Sequence, residues 1–252
     1  RKKMGLFKRL FSKPTVQIEV GITHELIKSP RMDSNDLYRK TCPKMQIYKI
    51  RGRSFETKRL CTIRRVALDS ADRDEINTFS GLYDVQTFEA IERELPTEAQ
   101  INYAMDLGIT LSDEYSKDDL SCLISRMTGE TNRDDMIPVE LNLAKLAADH
   151  NVYLSEFSGE KRALNCLWPQ LSGDEKILFF IFCVHQNILN GCSYNLRHTP
   201  YLDLYERFVR DYRDDQQLLR SLSNYVGSDL SLHKEPNRQR NAYKIANEYL
   251  TK

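Results

Sequence analysis

Apolar and polar positions along the chain first alternate every two residues and then recur every three or four, with the change falling near residue 95. Residues 45–50 (MQIYKI) and 60–68 (LCTIRRVAL) read as strands, and RGRSFETKR between them, with Gly52 inside a polar cluster, reads as a hairpin turn. Asp69 and Ser70 are placed to cap a short helix through Asp74, Glu75 and Ile76 that stops near Gly81. A third strand follows in YDVQTFEAI. The expectation is a ββαβ unit, a layer too thin to stand without cover from elsewhere in the chain.

The helical period starts at Pro96 and Thr97, with Ile101, Tyr103, Ala104 and Leu107 on one stripe and Gly108 as the stop. Ile109 and Leu111 cross an extended loop, and Ser116 with Asp119 forms a capping box before Leu120, Leu123, Ile124 and Met127. TGETNRDD (128–135) marks a boundary. Beyond it the pattern is helical throughout. Pro138 stands at a first helical position before Val139 to His150, Ser172 and Glu175 box the start of KILFFIFCVHQNILN, and Gly191 ends it. Further helices follow Thr199 and Pro200, run through QLLRSLSNYV, and span Arg238 to Leu250. Ile177 to Val184 is apolar nearly all round, which makes that helix central, with Trp168, Phe157, Tyr205, Phe208, Tyr212 and Tyr225 packed around it. The fold class is therefore α+β: a basic amphipathic tail (1–14), a ββαβ unit (15–95), a two-helix module (96–128) and a helical bundle (136–252).

The composition, 40% apolar, 29% charged and 10% aromatic over 252 residues, excludes a wholly disordered chain, and no apolar run reaches the roughly 18 residues of a bilayer span. The formal charge of +1 conceals a separation: Arg1 to Arg65 carries +13, Val66 to Glu160 carries −15, and Lys161 to Lys252 carries +3. Six cysteines without a CxxC, and no apolar leader, predict reduced and mostly buried thiols in the cytoplasm. Met4-Gly5 resembles a natural start, but Arg9 stands where a myristoylation signal needs Ser or Thr.

Candidate chemistry concentrates in the basic front. Ten cations fall between Arg39 and Arg65 against Glu56 alone, interleaved with Tyr48 and Phe55. That pattern suits a phosphate backbone or an acidic protein surface, and Lys49, Arg51, Arg53, Lys58, Arg59, Arg64 and Arg65 are its candidate contacts. The competing reading is an edge hairpin that uses charge to prevent aggregation. Leu6, Phe7, Leu10 and Phe11 among the lysines of the tail form a second candidate surface, for a membrane or a partner. Support for catalysis is thin. Glu56 and Lys58, with Asp33 or Asp36, resemble a fragment of a metal-dependent nuclease site, but E-x-K falls in a predicted turn. Cys183 and His185 point apart on one helix, so Cys183, His185, Cys192 and His198 predict no metal, and no cofactor motif is present.

PTEAQINYAMDLGITLSDEYSKDDLSCLISRM (96–127) resembles the helix, extended loop, helix modules of the SAP type, and its Q-x-x-Y-A-x-x-L-G-I core is similar to segments of bacterial and phage proteins of DNA metabolism. The resemblance implies DNA binding or docking. Glu98, Asp106, Asp113, Glu114, Asp118 and Asp119 against Lys117 and Arg126 make this copy acidic, which turns the implied role toward docking a protein across 97–127. The sequence thus predicts a non-catalytic binding or adaptor protein of bacterial or phage nucleic-acid transactions. The alternatives are a structural subunit of a larger assembly, or a membrane-surface protein anchored by its basic amphipathic tail.

Overall fold

The computed structural model describes residues 34–129 and 136–251. The amphipathic tail with Leu6, Phe7, Leu10 and Phe11, and the carboxylate of Asp33, lie outside the described residues. After a single helical turn, α1 (Ser34–Leu37), the two-residue alternation folds as an antiparallel hairpin of β1 (Met45–Ser54) and β2 (Leu60–Leu68). Met45 stands opposite Leu68 and Arg53 opposite Leu60. Helix α2 (Arg73–Ser80) then returns the chain to β3 (Leu82–Ala90) on the far side of β1, giving the sheet order β2-β1-β3. The cap of α2 is Asp72, whose carboxylate accepts from the Glu75 amide at 2.7 Å, in place of the expected Asp69 or Ser70. Gly81 ends α2 at φ 68°, a left-handed conformation that favours glycine.

Because successive strand residues point to opposite faces, the sheet has two environments. One face carries Ile50, Ala67 and Leu82 against Ile76 of α2, a small core bordered by Tyr48, Ile63 and Phe88. The opposite face is divided along its length. At one end Met45, Val66 and Leu68 enter the main core beside α5 (Leu141–Asp149), and the other end is open. The outward amide of Val66 on edge strand β2 donates to Asn151 Oδ1 at 2.9 Å. Part of the edge is thereby closed.

Helices α3 (Glu98–Asp106) and α4 (Lys117–Thr128) follow, then α5, α6 (Glu160–Leu167), α7 (Gly173–Leu189), α8 (Leu202–Tyr212), α9 (Gln216–Leu222) and α10 (Asn241–Leu250). The expected capping boxes form at Ser116–Asp119 and Ser172–Glu175. Helix α7 buries Ile177 and every residue from Phe179 to His185, the behaviour of a central helix. Two details differ from expectation. Pro138 bridges to Gly159 as an isolated β contact, and α5 begins at Leu141, because the 138–140 backbone is held extended against the start of α6. Helix α7 ends at Asn190, which takes the left-handed position at φ 54° and leaves Gly191 just beyond it. Among the described residues no helix is long and apolar enough to cross a membrane.

Two buried charges join the acidic helices to their surroundings. Arg126 of α4 donates through Nη1 to the carbonyls of Leu37 and Arg39, and through Nη2 to Thr41 Oγ1 and the Phe157 carbonyl, all within 2.8 Å. Asp119, at the start of the same helix, accepts from the Ser116 amide and hydroxyl, the Ser155 hydroxyl and Arg93 Nη1. Asp119 is 2% exposed, so it belongs to the packing and not to the acidic surface.

Replacing Arg126 with Leu strands the carbonyls of Leu37, Arg39 and Phe157, and each buried unpaired group costs about 1–3 kcal/mol. Urea unfolding of Arg126→Leu is expected to show a loss of about 3 kcal/mol or more. The thiols give an independent check. Burial pushes the Cys42 thiol up to about 12, with Cys122 and Glu156 adding to it, and Cys183 is also raised by burial. Of the six cysteines, expected to be mostly buried, Cys42, Cys122 and Cys183 are buried, Cys61 is half-buried, and Cys166 and Cys192 are exposed. A thiol reagent at neutral pH should modify the two exposed cysteines promptly and the three buried ones only on unfolding.

Candidate nucleic-acid interface

The open half of the sheet is where the predicted cations converge. Strand β1 continues to Ser54, four residues past its expected end, so Arg51 and Arg53 lie in a strand and not in the turn. Lys49, Arg51 and Arg53 are therefore alternate residues of one face, spaced by about 6.7 Å along β1. Arg64 of β2 stands directly opposite Lys49 and shares that face. Two cations in directly opposed positions destabilise a sheet by a few tenths to about 1 kcal/mol. On the other side of Lys49 its partner in β3 is Glu89.

The carboxylates of the middle third reach this face only in part. Asp84 forms an exposed ion pair with Arg53 at 3.3 Å. Among the described residues no ion pair engages Lys49, Arg51, Lys58, Arg59 or Arg64. Glu94 is held below the usual carboxylate range by its hydrogen bond and ion pair with Lys117, and the charge of Arg64 adds to that. Elsewhere in the basic front, Lys40 pairs with Glu156 and Lys44 with Asp69.

Lys58 and Arg59 sit in the hairpin loop. The Ser54 amide donates to the Arg59 carbonyl and the Lys58 amide to the Ser54 carbonyl, with Lys58 at φ 58°. Glu56 is in the same loop and exposed, and its amide and that of Thr57 donate to Ser54 Oγ. Among the described residues no group of three or more His, Cys, Asp or Glu side chains is arranged to hold a metal. The E-x-K fragment thus sits in the turn expected from its sequence, one residue from the exposed Phe55.

Arg65 departs from the other six. Its register partner is Tyr48, on the face that α2 covers. It lines a cavity of about 170 Å³ with Glu75, Lys145, Asp149 and Arg197, floored by Ala67, Ala71 and Ala148. Asp149 forms an ion pair with Arg197 there, and burial raises the Asp149 carboxyl despite that cation. Tyr48, singled out with Phe55 as an aromatic among the cations, is on the same covered face and packs on Phe88 with ring centroids 4.7 Å apart.

Phe55 does join the cations, together with Tyr83, which sequence reasoning did not single out. Tyr83 stands opposite Arg53 and lies against Phe55 with ring centroids 5.0 Å apart at 42°, and Lys58 Nζ lies 5.6 Å from the Tyr83 ring and 5.9 Å from that of Phe55. Its placement depends on an irregularity in β3. Between the pairs Arg51–Thr87 and Arg53–Tyr83, the three residues Asp84 to Gln86 face Gly52 alone, with Asp84 at φ 51°. Such a bulge re-aims the following side chain. Gly52 permits it, because a Cβ at that position would lie 3.0 Å from the Tyr83 carbonyl oxygen and 3.3 Å from Leu82 Cβ.

Gly52→Val is accordingly expected to force β3 away from β1 and to lower stability by about 1–3 kcal/mol, read by chemical denaturation, with Gly52→Ala giving a smaller loss. An unchanged unfolding midpoint for Gly52→Val would show that β3 does not depend on this close approach. No family model, characterised protein or solved structure matches this chain.

Proposed function

We propose that the protein is a non-catalytic binding or adaptor protein that takes a nucleic-acid phosphate backbone on the open face of its sheet through Lys49, Arg51, Arg53 and Arg64, with Lys58 and Arg59 at its rim. The observation that carries this reading is the opposition of Lys49 and Arg64 on an uncovered face. A hairpin that needs charge only to block edge pairing has no use for like charges facing each other across β1 and β2; Glu89, opposite Lys49 on β3, relieves that repulsion in part, while the register partner of Arg64 on the edge strand is Lys49. A row of phosphates uses both. The exposed acids of α3, α4 and the loop between them, Glu98, Asp106, Asp113, Glu114 and Asp118, lie outside this face and form the surface offered to a protein partner. The resemblance of residues 96–127 to SAP-like modules favours a setting in bacterial or phage nucleic-acid transactions.

Each phosphate neutralised releases condensed counterions, so log affinity should fall with log salt by roughly 0.7–0.9 per contact. Four strand cations predict a slope of roughly −3 in fluorescence anisotropy titrations with a labelled oligonucleotide. Arg64→Thr separates the functional from the structural role. Losing the repulsion with Lys49 should leave the unfolding midpoint equal to or above that of the wild type, while oligonucleotide affinity drops and the salt slope flattens by nearly one. A wild-type binding curve that does not respond to salt, or an Arg64→Thr protein that binds as tightly as the wild type, would remove the reading.

A further inference from the structure

We infer that the open sheet face selects single-stranded nucleic acid, stacking an unpaired base on the Phe55–Tyr83 pair at the end of the cation row; this inference rests on the phosphate reading above. Phe55 is 57% exposed although it is the largest apolar side chain of the hairpin loop. It is not loosely displayed. Its amide donates to the Gly81 carbonyl at 3.2 Å, and the flanking Ser54 and Lys58 amides are both hydrogen-bonded across the loop. The ring is supported on one side by Tyr83, whose own position depends on the β3 bulge at Asp84. A ring fixed by its backbone and by a neighbouring ring loses little conformational freedom when something stacks on it.

The cations give the line of approach. Lys49, Arg51 and Arg53 extend over about 13 Å of β1 toward the loop, and Arg53 stands opposite Tyr83. Lys58 places a positive charge within 6 Å of both ring centres. A strand whose phosphates follow the row brings its next base to the rings. This combination of a charged track with an aromatic platform recognises single strands without regard to sequence, since every base has a π face. In a duplex those faces are stacked on one another and only base edges and phosphates are presented. The rings then have nothing to bind, so they discriminate between single strands and duplexes while the cations do not.

The test compares a labelled oligothymidylate with a duplex of equal length by fluorescence anisotropy at one salt concentration, using the full chain and the variants Phe55→Ala, Phe55→Tyr and Arg51→Glu. Loss of one stacked base corresponds to roughly a 5- to 160-fold weakening. Phe55→Ala is expected to lose that much for the oligothymidylate and nothing for the duplex, Phe55→Tyr to retain single-strand affinity, and Arg51→Glu to weaken both. Phe55 is exposed and its ring contact is with Tyr83, so Phe55→Ala should lower the unfolding midpoint only slightly, with the protein folded throughout the assay, and a folding defect is separable. If Phe55→Ala binds oligothymidylate like the wild type while Arg51→Glu weakens it, or if Phe55→Ala weakens both ligands equally, base stacking is overturned and the phosphate reading survives. If Arg51→Glu changes neither, the phosphate reading itself fails.

Discussion

The register of β1 against β2 is the constraint on which the rest depends. With a side-chain period of two, a slip of one residue would send every outward cation to the covered face and every core residue of the hairpin to water. On the face that carries the cations the register is pinned at one end. There Met45, Val66 and Leu68 are fixed by the main helical core, and Ile50 and Ala67 on the opposite face are fixed by Ile76 of α2. Asn151, in a left-handed conformation just after α5, accepts the Val66 amide and holds β2 against the bundle. Anchoring at this end, with Ile50 and Gly52 packed on the α2 side, leaves the other face of the distal half to present Lys49, Arg51, Arg53 and Arg64. The helical bundle thus acts on the candidate site from a distance, by setting the alternation that aims it.

How much of this was legible in the sequence follows from the range of the interactions involved. Elements fixed by local chemistry were readable. The alternation of 45–68, the boxes at Ser116–Asp119 and Ser172–Glu175 and the apolar run of α7 each depend on residues within a few positions of one another. Features fixed by partners far along the chain were not. Strand β1 runs on through Arg51 and Arg53 because β3 pairs with it, a contact some thirty residues away that overrides the turn character of Gly52. Arg65 faces α2 because its neighbours Arg64 and Val66 are committed to the other face, a parity that composition counts do not contain. Tyr83 joins the cations only through the bulge at Asp84. Two acidic-module residues behave similarly. Arg126 and Asp119 look like surface charges in a window of sequence and are buried in the fold, because their partners are the carbonyls of 37–39 and the 155–157 loop.

The separation of charge along the chain has a corresponding spatial outcome. Acids of the middle third meet cations of the front mainly at the margins of the open face: Asp84 on Arg53, Asp69 on Lys44 and Glu156 on Lys40. Each of these pairs is exposed on at least its cationic side, where an ion pair contributes about 0–1 kcal/mol and exchanges readily with a competing anion. Their effect is to set an electrostatic border. Lys49, Arg51 and Arg64, which form no ion pair among the described residues, are bordered by acids on the β3 side, at Asp84 and Glu89.

A face built in this way gives up stability at identifiable positions. Lys49 opposite Arg64, Phe55 exposed in a rigid loop and a bulged β3 all run against what a sheet would adopt for stability alone. Local rules that agree across most of a chain and fail together in one place mark that place as selected for something other than folding. In this protein the three departures converge on the half of one sheet face that no described helix covers. The remainder of the fold tolerates them because its stability resides elsewhere, in α7 and the helices around it, so the hairpin can hold repelling charges and an uncovered ring without endangering the core that positions it.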